Sequence, residues 1–334
     1  MNSITISTVN SKKDLLKFIK FPWKIYKGDE HWVPPLIMDR KKLLDKKKNP
    51  FYKHAEMEMF LAYKNGKIAG RIAAIKNDLH NQHHSDNVGF FGFFECIDDQ
   101  EVANQLFDAA ADWLKQNGLN AMRGPANPSS NDEYGMLIEG FNDQPRLLMT
   151  YNPPYYLQLC ENYGLKKAKD LYAYKLQNEK VVSSDKLKRV ADIAKKRSGI
   201  KISQLNMKDF DNELEKVKYV YNKAWEPNWG FVPMTDDELD AMAKDLKPLV
   251  EPSLVLFGEI ENQLVGFALV MLDYNQIFKK MNGRLFPFGF LKLFTQKKEI
   301  TWVRIITLGI VPQFQRSGLD AVFYWESVNR AHAL

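Results

Sequence analysis

The dipeptide Asn65-Gly66 limits what this chain can fold into more than any other short stretch. Asn-Gly favours a two-residue turn with left-handed backbone angles at both positions, and that turn joins antiparallel strands. Strand-like runs flank it, Glu56–Lys64 before and Ile68–Asn77 after. The same order returns downstream, where Ser253–Ile260 and Leu264–Asp273 flank the turn Glu261-Asn262-Gln263. Each hairpin follows a strand and a helical region and precedes a strand and a helix. This order predicts two copies of one α+β unit. No short-period repeat of the solenoid kind is present.

In the first copy, residues 1–176, Ile4–Val9 alternates like a short strand and Ser11 is placed to cap a helical stretch to Tyr26. Trp32-Val33-Pro34-Pro35 is extended. Asn87–Ile97 is a third strand. Asp98-Asp99 then open an amphipathic helix through Val102, Leu106, Ala110 and Leu114, closed by Asn117-Gly118. Leu119–Met122 reads as a short strand, a helix from Tyr155 stops at Gly164, and Leu171–Leu176 reads as a closing strand. A connector, residues 177–199, carries one charged helix. The second copy, residues 200–334, reads Lys201–Leu205 as strand, Met207–Trp225 and Asp236–Leu246 as helices, the hairpin, an insertion, the long strand Thr301–Val311, and the helix Gln315–His332.

The 334 residues suit about two domains of ordinary size. Cys96 and Cys160 are the only cysteines, which excludes a disulfide scaffold or a multi-cysteine zinc module and fits a reducing compartment. The N-terminus has no apolar core or cleavage site of a secretory signal, so a cytoplasmic protein is expected. The most apolar run, Phe286–Phe294, is too short to span a bilayer, and no membrane partner is expected. The net charge is +6. Its basic clusters suit either a solvated surface or attraction of a phosphorylated ligand. No nucleic-acid recognition module accompanies them, so no nucleic-acid partner is expected.

The most chemical segment is Thr307–Leu319, in which a central strand ends at Pro312 and Gln315-Arg316-Ser317-Gly318-Leu319 leads into a helix. A helix start offers unpaired N–H groups and partial positive charge, glycine permits close approach, and Arg316 adds a charge-assisted contact. The bland alternative is an ordinary strand-to-helix loop. The order strand, hairpin, long strand, [QR]xxGx, helix resembles the GNAT superfamily of acyl-CoA-dependent N-acyltransferases, in particular its bacterial tandem members. Asp320 departs from the Gly or Ala that closes the family's signature.

The resemblance implies a fold of two GNAT-like copies, each a mixed, mostly antiparallel sheet flanked by helices. It implies that Leu308, Gly309, Ile310 and Val311 pair with the pantetheine arm of an acyl-CoA. Gln315, Arg316, Ser317, Gly318 and Leu319 would cradle its pyrophosphate. The implied activity is transfer of an acetyl or other acyl group to an amine by direct attack. A non-catalytic GNAT-like binding scaffold is the alternative. The equivalent loop of the first copy, Ile97-Asp98-Asp99-Gln100, has no glycine and no basic residue, so that copy is expected to be degenerate. The second copy is expected to be C-terminally incomplete, without the family's usual tyrosine acid: either its partner strand comes from elsewhere, or the sequence is a truncated version of a longer protein.

Glu226 and Asp273 are the candidate bases. Glu226 lies in the segment Trp225–Pro233, which suits an acceptor pocket or a turn that covers a core. The segment Asn275–Phe294 suits an apolar lid or an inserted hairpin that packs the two copies together. The polar loop Arg123–Glu133 suits a ligand site or local Asx-type hydrogen bonding. His80, His83 and His84 have a spacing that one helix face would gather, but no metal is expected.

Overall fold

The computed structural model describes residues 3–177, 184–226 and 228–334. The chain forms two compact units, Met1–Leu171 with Tyr274–Glu299, and Tyr172–Asp273 with Ile300–Leu334.

The first unit is built on strands β1 (Ile4–Thr8), β2 (Ala55–Lys64), β3 (Lys67–Asn77), β4 (Val88–Cys96) and β5 (Ala121–Arg123), ordered β1-β2-β3-β4-β5. Neighbours are antiparallel except β4 and β5, which run parallel over Val88–Phe90 and Ala121–Arg123. Helices α1 (Lys12–Lys20), α2 (Pro22–Ile25) and α3 (Ile37–Leu43) precede the hairpin, and α4 (Asp78–His84) joins β3 to β4. Helix α5 (Gln100–Gln116) returns the chain to β5, as a parallel crossover requires. A two-stranded ribbon of β6 (Ala126–Asn127) and β7 (Glu133–Tyr134) and helix α6 (Tyr155–Tyr163) complete the unit. One sheet face is covered by Val102, Leu106, Phe107, Ala110 and Leu114 of α5 with Tyr156 and Leu159 of α6. Phe18 and Ile19 of α1 pack on the other.

In the second unit, α7 (Asp185–Ser198) leads into β8 (Lys201–Gln204), then α8 (Phe210–Trp225), α9 (Asp236–Leu246), β9 (Val255–Ile260) and β10 (Gln263–Leu272). Thr235 and Glu238 form a reciprocal capping box at the start of α9. The chain then leaves as α10 (Asn275–Met281) and α11 (Gly289–Thr295), both part of the first unit, and returns as β11 (Val303–Ile310) and α12 (Leu319–His332). The sheet order is β11-β10-β9-β8, all antiparallel. Helices α7 and α12 cover one face through Ala191, Ala194, Leu319, Val322 and Phe323, and α8 covers the other through Val220 and Ala224.

The two units repeat one another in backbone detail. Both hairpin turns have left-handed residues, Asn65 and Gly66 in one and Glu261 and Asn262 in the other. In both, the third residue of the second strand is extra (Ala69 and Val265), and a glycine follows it (Gly70 and Gly266). A Cβ at Gly70 would lie 2.6 Å from Leu106 Cδ1 and 3.0 Å from the Glu95 carbonyl oxygen. A Cβ at Gly266 would lie 2.8 Å from the Gly309 carbonyl oxygen and 3.0 Å from Leu319 Cδ2. In each unit the glycine lets the helix after the long strand sit down on the hairpin.

Three expectations change. Leu171–Leu176 forms no strand, and Leu171, Tyr172, Tyr174 and Leu176 are exposed. Their apolar run lacks the partner that a ladder needs. The last helix starts at Leu319 and not at Gln315, because Gly318 takes a left-handed conformation at its N-cap. The charged helix expected in the connector forms and becomes part of the second unit's core. The connector residues 178–183 lie outside the described residues.

Gly70→Ala and Gly266→Ala are each expected to lose about 2 kcal/mol through overpacking. Equilibrium urea unfolding of the two variants checks this, and losses below about 0.5 kcal/mol would contradict the close approach.

Candidate functional site

The implied binding residues gather along β11 and the loop that follows it. Strand β11 is the edge of its sheet among the described residues. Its inner side pairs with β10, with Ala268 opposite Leu308, Phe267 opposite Gly309 and Gly266 opposite Ile310. The Val311 N–H donates to the Val265 carbonyl at 2.8 Å. The two-residue period of an antiparallel ladder therefore turns the N–H and C=O of Leu308 and Ile310 outward. Ile306 is an extra residue in β11, which bends the strand before this outward-facing stretch.

The indole of Trp225, at the end of α8, lies on Gly309. A Cβ there would be 2.1 Å from two ring carbons, so glycine is required. The indole also stacks on Tyr221 at 5.0 Å and tilts over Phe267 at 5.7 Å. On the same face, the Thr307 hydroxyl is buried without a hydrogen-bond partner among the described residues.

The loop after β11 spends part of its own amides. Phe314 N–H donates to Val311, Gln315 N–H to Pro312 and Ser317 N–H to Phe314, while Leu319 N–H reaches the Ser317 hydroxyl at 3.3 Å. The amides of Arg316 and Gly318 have no partner among the described residues, and the Arg316 side chain is exposed. So of the five residues expected to cradle pyrophosphate, Arg316 and Gly318 retain their donors. Gly318 has φ of +85°, and a Cβ there would sit 2.7 Å from the Cβ of Ala194 in α7. The Ser198 hydroxyl donates to the Ser317 carbonyl at 3.3 Å. The loop is thus seated on α7. Asp320 is exposed in the first turn of α12.

The candidate bases differ in setting. Glu226 follows Trp225 directly and is exposed, while Pro227 lies outside the described residues. In the rest of that segment Phe231 and Val232 are buried and Trp229 is 42% exposed. Asp273 is fully buried, and its backbone N–H extends the ladder to the Trp302 carbonyl at 2.9 Å. Burial pulls the Arg304 guanidinium below its ordinary pKa, and the negative charge of Asp273 opposes that pull.

In the first unit the equivalent slot is closed by its own chain. Strand β4 bulges at Phe93, whose φ is +50°. Its N–H donates to Asn127 Oδ1 at 2.6 Å. A Cβ on Gly92 would be 1.7 Å from the Ala126 carbonyl oxygen, so β6 fills the space beyond the last β4–β5 pair. Asp99 spends its side chain on the Val102 amide, as the N-cap of α5, and on Lys64.

Sequence reasoning missed a buried polar cluster beside this slot. The cross-strand pair Arg71 and Glu95 meets at 3.5 Å. The Tyr156 hydroxyl donates to Glu95 at 2.7 Å and accepts from the Cys96 amide. Arg71 also donates to the Phe18 carbonyl at 2.7 Å. Burial pushes the Glu95 carboxyl above its ordinary pKa, against the pull of Arg71. The signal was Arg71 inside the apolar run Ile68–Ile75 and Glu95 in the otherwise apolar β4. Nearby, Arg40 pairs with Glu133, and the Ser129 hydroxyl donates to Asp132 at 2.8 Å, which gives the polar loop a network of its own.

The three histidines sit on or at the end of α4. His80 is buried beside Asp86 at 3.3 Å, and burial pulls its pKa down to about 4. No group of three or more metal-ligating side chains is found among the described residues.

Burial pushes Asp132 from an ordinary 3.8 up to about 7. Between those values the folded state holds a proton that the unfolded chain has lost. Stability from this group is full below about pH 4 and falls as pH rises through about 7. Asp132→Asn should flatten that decline. Melting temperatures of both proteins from about pH 5 to 8 check it, and parallel curves would exclude Asp132 as the source.

No protein-family model matches the sequence. A solved fungal multi-domain β-N-acetylglucosaminidase with a GCN5-related glucosamine N-acetyltransferase region superposes with a TM-score of 0.53 at 12% identity, over 99% of this chain and 34% of that one. This likeness shows the GNAT fold. The bacterial ceramide synthase of Caulobacter vibrioides (strain NA1000 / CB15N) is 35% identical over 323 residues, 94% of this chain and 82% of the relative. Protein YghO of Escherichia coli (strain K12) is 34% identical over 319 residues, 95% of this chain and 81% of the relative. With relatives this similar along nearly its whole length, the chain belongs to the bacterial GNAT-like family that contains this ceramide synthase and YghO.

Proposed function

We propose that this protein transfers an acyl group from an acyl-CoA to the amine of a long-chain, sphingoid-type acceptor. The observation that carries the reading is the outward edge of β11 running into a loop with two unspent amides at the start of α12. Kinship with a ceramide synthase supports the acceptor class, since a ceramide is the amide of a fatty acid and a sphingoid amine.

The amides of Arg316 and Gly318, the Arg316 guanidinium and the N-terminus of α12 would hold the pyrophosphate. The outward backbone groups of Leu308 and Ile310 would pair with the pantetheine arm and orient the thioester. The amine nitrogen then attacks the carbonyl carbon, the carbon–sulfur bond breaks, and CoA leaves as the thiol or thiolate. Of the two candidate bases, Glu226, which is exposed and follows Trp225 in the chain, would take the proton that the amine loses.

One observation favours a binding scaffold as a second reading. Asp320 places a carboxylate in the same first turn that would receive the pyrophosphate. Acyl-CoA binding without transfer to any amine would support that reading.

Isothermal titration with a long-chain acyl-CoA should give saturable binding. Arg316→Ala should weaken it about tenfold, and Asp320→Asn should tighten it. Glu226→Gln should leave acyl-CoA affinity near that of the wild type and slow amide formation about a hundredfold. Absence of both heat and thermal stabilisation with acyl-CoA would overturn the proposal.

A further inference from the structure

The insertion Tyr274–Glu299 has an anchored base and an apolar, basic tip. At the base, Tyr274, Ile277 and Met281 are buried in the first unit. Asn275 donates to the Pro145 carbonyl at 2.8 Å, and Trp23 Nε1 donates to Asn282 Oδ1 at 2.7 Å. Gly283 closes the joint, since a Cβ there would lie 2.4 Å from the Trp23 ring. Its carbonyl accepts from the Ile37 N–H at 3.0 Å. This docking fixes the direction in which the rest of the insertion projects from its unit.

At the tip the chain does what a soluble surface avoids. Phe286, Phe288 and Phe294 are 63%, 73% and 77% exposed, and Leu291 is 47% exposed. Phe288, Leu291 and Phe294 recur every third residue, so they share one side of α11. The insertion also carries Lys279, Lys280, Arg284, Lys292, Lys297 and Lys298, with Glu299 its single acidic residue. Six basic and one acidic residue leave +5, against +6 for the whole chain. Lys279 and Lys292 donate to the backbone carbonyls of Glu30 and Lys280, which leaves their charges unneutralised. Lys280 meets the Glu299 carboxylate at 2.6 Å.

We propose that this tip is a peripheral membrane anchor that inserts its phenylalanines into the interface of an anionic bilayer while its lysines and arginine contact the headgroups. Aromatic and leucine side chains on one side with a basic rim are the two signals that interfacial binding combines. No helix among the described residues is long and apolar enough to cross a membrane, and none is needed for an anchor that lies in the interface. The absence of a spanning segment led to an expectation of no membrane partner. A seven-residue helix and its loop satisfy the different requirements of surface docking. The anchor stands on exposure and charge alone and does not rest on the acyl-transfer reading.

The test is co-sedimentation of the full chain with phosphatidylcholine vesicles, with and without about 30 mol% phosphatidylglycerol. Binding is expected to the anionic vesicles, to weaken steeply as salt rises, and to be slight on neutral ones. Phe286→Ser with Phe288→Ser and Phe294→Ser should weaken binding about tenfold or more, and Arg284→Gln with Lys298→Gln should weaken it several-fold. Unchanged far-UV circular dichroism and melting temperature show that the variants fold. Phe288→Trp should shift its emission to the blue on anionic vesicles. No binding by the wild type, or equal binding by the triple-serine variant, would overturn the anchor. So would a wild-type dimer in solution that the triple variant dissolves, because a second copy would then cover the tip. Acyl-CoA titration without vesicles is a separate readout, so the anchor and the acyl-transfer reading fail independently.

Discussion

A tight turn with two left-handed residues governs each unit. It fixes which residue of one strand faces which residue of the next, and a slip by one position would send every core side chain to the opposite face. Beyond each turn, the extra residue and the following glycine form a shallow seat for a helix. The long strand, the loop and the helix after it take their positions from that seat. Leu319 and Phe323 occupy it in the second unit, as Val102 and Leu106 do in the first.

A shared frame makes the divergence of the two units readable. Counting from the equivalent glycines, the first unit sets Arg71 opposite Glu95 where the second sets Phe267 opposite Gly309. In one unit the position holds a buried ion pair that Tyr156 and the Phe18 carbonyl keep hydrogen-bonded. In the other it holds bare backbone under an indole. A buried pair of charges requires full satisfaction by its neighbours and tolerates little rearrangement. An indole lying on a glycine is held by dispersion and shape, which leaves the strand's outer polar groups available. The closure of the first unit's slot by Asn127 agrees with this division.

Local chemistry was legible in the sequence. Both hairpins, the Ser11 and Thr235 caps and the Gly164 stop are decided by residues a few positions apart, and the structure places them as expected. Distant contacts were not legible. The Phe93 amide finds Asn127 across 34 positions, and Ser198 meets the Ser317 carbonyl across 119. Neither pair carries a spacing signal. The apolar run Leu171–Leu176 misled because strand character supplies only half of a strand, and the other half is a neighbour. The place where the insertion docks was not legible for a related reason. Its sequence neighbours belong to the second unit, but Trp23, Pro35 and Pro145, which receive it, all belong to the first.

The contact between Gly318 and Ala194 makes the connector helix a ruler for the loop. Both positions are nearly bare, so the distance from helix α7 to the loop backbone is set by a single methyl group. The helix is in turn fixed to α12 by Lys195 and Glu326, 2.6 Å apart. A bulkier residue at 194 would leave the sheet and its hairpin intact and lift the loop off its seat. This one buried alanine therefore sets the height of the Arg316 and Gly318 amides above the helix without itself reaching the surface those amides face.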